Sequence, residues 1–155
     1  MAGETYTVER SVRIEAPQAR IYHQITDFHN WTSWSPWEDL DPQLKRSYSG
    51  AASGTGARYA WSGNRKVGQG RMEIVEAVEP SLVRVDLVFE KPWKARNDTR
   101  FIIEPEGSGS RVTWSMTGRN TLMTRVMGVF TSMDRFVGPD FEKGLARLKA
   151  TTERA

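Results

Sequence analysis

The chain has 155 residues, 38% hydrophobic and 26% charged, with 22 Lys and Arg against 19 Asp and Glu for a net charge of +3. That composition fits one ordinary globular domain spanning 1–155 and excludes a disordered or fibrous chain. Cysteine is absent, which rules out disulfides, thiolate metal sites and cysteine nucleophiles. The basic residues nowhere form a run of five, which argues against a nucleic-acid partner.

The opening MAGETYTVERS is polar, and no stretch approaches the roughly eighteen apolar residues of a membrane span, so we expect neither export nor membrane insertion and a cytoplasmic location. From Tyr6 to Ile14, Tyr6, Val8, Val12 and Ile14 alternate with polar residues, which predicts a strand with one buried side. Arg10 interrupts that side, either at a bulge or edge position or by reaching into the interior or its mouth. Pro17 suits a first helical position, and Ile21, Tyr22, Ile25 and Phe28 then mark a short helix. Trp31, Trp34 and Trp37 follow at intervals of three residues, so two of them can share a face before Pro36 stops the turn. They either plug one end of the core or form a lid over an apolar ligand.

Leu44 to Ser49 and Gly56 to Trp61 are predicted as strands, with Ala57, Tyr59 and Trp61 on one face. After the Ser62 to Arg65 turn a longer strand runs to Glu79. Its apolar residues occupy both parities, Met72 and Ile74 against Val75 and Ala77, which predicts a bulge or two-sided burial. In the next strand Val83, Val85, Leu87 and Phe89 oppose Arg84, Asp86 and Glu90, and Lys91, Pro92 and Trp93 form the turn. Ala95, Asn97, Thr99, Phe101 and Ile103 then face inward, followed by a turn over Pro105 to Gly109. In the last strand Val112, Trp114 and Met116 face inward. Such short connections require antiparallel pairing between neighbours.

The final segment repeats Met123, Val126, Met127, Phe130, Met133, Val137, Phe141, Leu145 and Leu148 at helical spacing. Unbroken, it would extend about 48 Å, but Gly138 and Pro139 predict a kink or break into two pieces.

Strand, helix, helical turn, six strands and a long helix make an α+β architecture. It resembles the helix-grip fold of the Bet v 1, START and polyketide-cyclase (SRPBCC) superfamily. The resemblance is carried by VERSVRIEAPQARIYHQITDFHNWTSWSPW, VFEKPWKARNDTRFIIEPEGSGSRVTW and MDRFVGPDFEKGLARLKA, and is nearest to the bacterial polyketide cyclase/dehydrase-like branch. It implies a seven-stranded curved antiparallel sheet around the C-terminal helix, two short helices after the first strand, and a hydrophobic cavity between sheet and helix. Methionines at inward positions, Met72, Met116, Met123, Met127 and Met133, suit either a variable apolar guest or a solid core in which methionine fills gaps, and the resemblance favours the guest.

The expected lining is Trp31, Trp34, Tyr59, Trp61, Met72, Ile74, Leu87, Phe89, Asn97, Thr99, Trp114, Met116, Met127, Phe130 and Met133, around a lipid-like or polyketide-like small molecule. No cofactor is indicated. His23 and His29 lack the spacing of a helical metal pair, and Glu38, Asp39 and Asp41 are expected in a solvated segment, without a metal. Ser33 and Ser35 have no motif-placed base.

Binding without catalysis is the main expectation. The alternatives are a cyclase, dehydratase or aromatase in which Tyr59, Asn97 or Arg10 moves protons, and a co-chaperone-like interaction module using the outer sheet face or the long helix. The sequence does not distinguish monomer from homodimer.

Overall fold

The computed structural model describes residues 5–65, 67–91, 94–119 and 133–154. Among these, seven strands form one antiparallel sheet in the order β1-β7-β6-β5-β4-β3-β2. The strands are β1 (Thr5–Ile14), β2 (Lys45–Gly50), β3 (Ala57–Ser62), β4 (Gln69–Val78), β5 (Leu82–Lys91), β6 (Ala95–Glu106) and β7 (Gly109–Arg119). Between β1 and β2 lie helix α1 (Gln18–Thr26) and a 3₁₀ turn (Phe28–Ser33), and helix α2 (Met133–Arg154) follows β7. Successive hairpins build the run β2 to β7, while the helical excursion after β1 lets that strand close against β7 rather than β2.

Alternation along β6 is regular: Asn97, Thr99, Phe101 and Ile103 are buried, whereas Arg96, Arg100, Ile102 and Glu104 are exposed. Strand β1 pairs with β7 without interruption from Thr5↔Arg119 to Ile14↔Ser110, so Arg10 sits on an edge strand and not at a bulge. The irregularity expected in β4 is present. Ile74 pairs with Val85 and Glu76 with Arg84, and the extra residue, Val75, is 41% exposed.

Two proline-based expectations need correction. Pro105 and Glu106 belong to β6 rather than to the turn, which shortens to Gly107 and Ser108, with Gly107 at φ 61. Pairing with β5 ends at Leu82↔Ile102, so the missing Pro105 N–H deprives no strand of a bond. Nor does Pro139 split the last helix, because α2 is continuous from Met133 to Arg154. One absent N–H leaves the flanking turns bonded, and Gly138 makes room there for the Arg10 guanidinium, whose Nη2 would lie 2.3 Å from an added Cβ.

Trp31 and Trp34 follow the 3₁₀ period of three residues per turn, which brings them onto one edge with ring centroids 4.6 Å apart. The expectations for Trp93, Met123, Val126, Met127 and Phe130 lie outside the described residues. Met133 opens α2, and its side chain likewise lies outside what is described.

Candidate ligand-binding face

Register carries the concave face across all seven strands. One row runs Tyr6, Gly118, Asn97, Leu87, Met72, Tyr59 and Tyr48. Towards α1 the next rows hold Val8, Met116, Thr99, Val85 and Ile74, then Arg10, Trp114, Phe101 and Val83. On the other flank stand Ala95, Phe89, Gly70 and Trp61.

The half of this face nearest α1 is filled by aromatic rings. Trp114 lies between Phe101, with centroids 5.0 Å apart, and Phe141 of α2, 4.1 Å away and 5° from parallel. Trp34 and Trp37 each meet Trp114 edge-on at 5.7 Å. Gly144 lets the helix backbone approach, since a Cβ there would come within 2.9 Å of both Pro36 and the Trp114 ring. The indoles of Trp31 and Trp34 donate to the carbonyls of Ile25 (2.8 Å) and Gln24 (3.1 Å), fixing the 3₁₀ turn to α1. Trp31 and Trp34 therefore pack as part of the core. With 0% of their surface accessible, Trp34 and Ile74 offer nothing to a ligand in this conformation, and Trp31 and Trp114 offer little.

The other half is looser. Trp61, Met72, Leu87 and Phe89 are only partly buried. Trp61 lies across Gly70, where an added Cβ would fall 2.5 Å from the ring, and its Nε1 donates to the Val67 carbonyl at 2.8 Å. Phe89 meets it edge-on at 5.7 Å. Between the two halves lies a polar seam. Tyr6 Oη on β1 donates to Asn97 Oδ1 on β6 at 2.7 Å, passing over β7 at Gly118. A Cβ at Gly118 would lie 2.1 Å from that amide oxygen and 2.5 Å from the hydroxyl, so only glycine leaves the bridge open. Burial raises the pKa of the Tyr6 phenol, keeping it a donor at neutral pH.

Among the described residues Asn97 Nδ2 has no acceptor, and Thr99 Oγ1 and Trp114 Nε1 are buried without a partner. The inward Asn97 was visible in the strand alternation. Its partner Tyr6 was not, although a glycine at 118, continuing the inward series 112, 114, 116, was the available signal.

Tyr59 is committed elsewhere. Its hydroxyl donates to Glu38 Oε1 at 3.2 Å, and Arg46 Nε holds Glu38 Oε2 at 2.6 Å. Burial first, and then the Glu38 charge, raise the pKa of the Tyr59 phenol well above its ordinary value. The expectation of a solvated acidic segment is thus corrected at Glu38, whose side chain is only 9% accessible. Its neighbours serve separate structural partners. Asp39 pairs with Arg147 at 2.9 Å, which lowers the Asp39 pKa, and Asp41 accepts the Asn64 and Gln43 N–H groups. Among the described residues no three or more His, Asp or Glu converge as a metal site. His29 is held by Asp27 at 2.9 Å and stacks on Tyr48 at 3.9 Å. Arg10 pairs with Glu142 of α2 at 2.8 Å, spanning from the sheet edge to the helix.

A curved seven-stranded sheet closed by a C-terminal helix, with a helix and a 3₁₀ turn after the first strand, defines the Bet v 1-like helix-grip class. The chain belongs to the family described as polyketide cyclase / dehydrase and lipid transport, whose model matches residues 5–153.

Similar solved structures include the di-domain ARO/CYC StfQ from the steffimycin biosynthetic pathway, with TM-score 0.72 and 11% identity over 99% of this chain and 52% of that one. An uncharacterised protein from Rhizobium leguminosarum gives TM-score 0.70 and 13% identity over 98% and 97%. The Aha1 dimer from Colwellia psychrerythraea gives TM-score 0.68 and 15% identity over 95% and 96%. At such identities the likeness is one of fold. No curated protein sequence matches the chain. No helix among the described residues is long and apolar enough to cross a membrane.

Proposed function

We infer that the protein binds a hydrophobic or amphipathic small molecule against the looser half of the concave face. The observation that carries this is the juxtaposition of four partly buried apolar side chains, Trp61, Met72, Leu87 and Phe89, with the buried and incompletely bonded Asn97 and Thr99. Apolar desolvation, at about 25 cal/mol per Å², would supply the affinity. Asn97 Nδ2 and Thr99 Oγ1 would orient one oxygen-bearing end of the guest, using hydrogen-bonding capacity the fold leaves unspent.

Of the expected lining, Tyr59 and Met116 would close the floor, and the rings of Trp31, Trp34 and Trp114 would serve as rigid backing. The family description joins cyclases and dehydrases to lipid transport, activities that all handle oily molecules. Proton transfer by Tyr59 is disfavoured by its bond to Glu38 and its raised pKa.

The test is a fluorescence titration with 1-anilinonaphthalene-8-sulfonate, followed by displacement with decanoic acid. A saturable site on the folded protein, lost in a folded Leu87→Arg variant and retained in an outer-face Arg96→Ala variant, is expected. Absence of binding, or binding indifferent to both Leu87→Arg and Phe89→Arg, would overturn the assignment.

A further inference from the structure

We propose that β1 is the seam of a homodimer, pairing antiparallel with β1 of a second copy about an axis through Ser11. Strand β1 ends the sheet, and its far edge faces no strand among the described residues. Two contacts show which backbone groups point that way. The Glu9 carbonyl accepts Arg10 Nη1 at 2.8 Å, and the Glu15 N–H donates to Glu153 at 2.8 Å. Both are odd-numbered positions, so the antiparallel alternation turns the N–H and C=O groups of Thr7, Ser11 and Arg13 to the same open edge. An exposed row of this kind is a template for another strand, and natural edges are commonly protected from it by charge.

Here the charges select a register. A two-fold axis perpendicular to the sheet matches side chains of the same face, so it must pass through a residue. An axis at Glu9 or Arg10 sets like charges directly opposed, and one at Val12 sets Glu9 against Glu15 of the copy. An axis at Val8 pairs no charges. With the axis at Ser11, Glu9 meets Arg13 of the second copy, twice per dimer. Glu9 is exposed and its carboxylate has no partner among the described residues, while the Arg13 side chain remains 35% accessible beside Glu15 and Glu106. Opposite charges facing across strands stabilise the pair, and like charges oppose it.

A second feature lies at the same place. Between β1 and α2 a groove of about 430 Å³ opens at this edge, lined by Val12, Leu145, Ala146 and Ala150 together with Ser11, Glu142, Lys149 and Glu153. A copy paired about Ser11 would cover it, burying apolar surface that a single chain leaves to water. The Glu9 carbonyl keeps a second lone pair beside Arg10, so the inter-copy ladder can form without displacing that contact.

The proposal is tested by sedimentation equilibrium of the full chain across the micromolar range, with circular dichroism confirming that each variant is folded. The wild type is expected to reach the mass of two chains. Ser11→Pro removes an N–H directed away from β7, which an edge strand tolerates, and should leave a folded monomer. Glu9→Arg alone and Arg13→Glu alone should each weaken association by about tenfold. The double variant Glu9→Arg/Arg13→Glu should recover it, because the swapped charges again face one another. If Ser11→Pro fails to fold, the charge-swap series decides alone. A wild type that stays monomeric, or a dimer indifferent to the charge series, overturns the assignment.

Discussion

Trp114 and Trp61 are the same residue on the same face of one sheet, yet they are packed in opposite ways. Trp114 is 2% accessible, stacked between Phe101 and Phe141 beneath α2. Trp61 is partly buried, lies 21° from parallel to Tyr59 at 6.2 Å and meets Phe89 edge-on. What separates them is the neighbour above. Helix α2 packs along β1 and stacks Phe141 on Trp114, whereas the ring contacts of Trp61 among the described residues come from Tyr59 and Phe89 of the sheet itself. On the proposed reading, stability and guest binding fall to different regions of one surface. The first half is close-packed, and the second keeps the half-covered apolar surface that the proposed guest would use.

The strongest way to break this comparison is to truncate each side in turn. Trp114→Ala should cost about 3–5 kcal/mol, because its cavity would be walled by rings that cannot collapse into it. Leu87→Ala, on the looser half, should cost about 1 kcal/mol while weakening the binding of apolar probes. Urea unfolding measures both. Equal losses would mean that the two halves are one continuous core.

The seam between the halves gives the next effect. Gly118→Ala drives a methyl group into the Tyr6–Asn97 hydrogen bond and should cost about 2–3 kcal/mol, since both buried polar groups must part. Tyr6→Phe, which leaves the Asn97 amide oxygen unpaired without steric conflict, should cost about 1–2 kcal/mol. A Gly118→Ala loss no greater than that of Tyr6→Phe would show that the strands adjust to the methyl group.

This seam also marks how far the sequence could be followed. The alternation of β5, β6 and β7 was legible because each strand buries a single face, so the inward placement of Asn97, Thr99, Phe101 and Trp114 needed only parity. The Tyr6–Asn97 bridge depends on three strands being aligned at Gly118, and periodicity within a strand does not carry alignment between strands. Pro105 and Pro139 were misassigned because a local rule was applied where tertiary context decides: Pro105 pairs beyond the reach of β5, and Pro139 sits in a helix anchored along β1. Glu38 looked solvated because neither Arg46 nor Tyr59 is close to it in sequence. The division between a packed and a looser half was not legible at all, since aromatic and methionine residues occupy both.

Alkaline titration should show a smaller effect centred on the phenols. Burial raises the pKa of Tyr6, and burial with the Glu38 charge raises that of Tyr59. The folded state therefore holds these protons above the ordinary phenol value of 10.0, where the unfolded chain releases them. Their contribution is fully present below about pH 10 and is lost as pH rises beyond it. Thermal melts between about pH 8 and pH 11 should show a falling Tm, with a shallower fall in Tyr59→Phe. An identical slope in that variant would detach Tyr59 from the effect.

The smallest expected change has the opposite sign. Thr99 Oγ1 is buried with no hydrogen-bond partner among the described residues, beside Met116 on one strand and Val85 on the other. In Thr99→Val a methyl group replaces that hydroxyl at nearly constant volume, so the desolvation cost disappears without a cavity forming. Stability should hold or rise by up to about 1 kcal/mol, where a buried threonine with a satisfied hydroxyl would lose a similar amount. Probe binding separates two reasons for the hydroxyl's presence. If Thr99→Val gains stability and loses affinity for an oxygen-bearing probe while keeping affinity for a hydrocarbon one, the hydroxyl is retained for the guest at the expense of the fold. If both affinities stay unchanged, Thr99 belongs with Trp114 to the packed half, and orientation of the guest falls to Asn97.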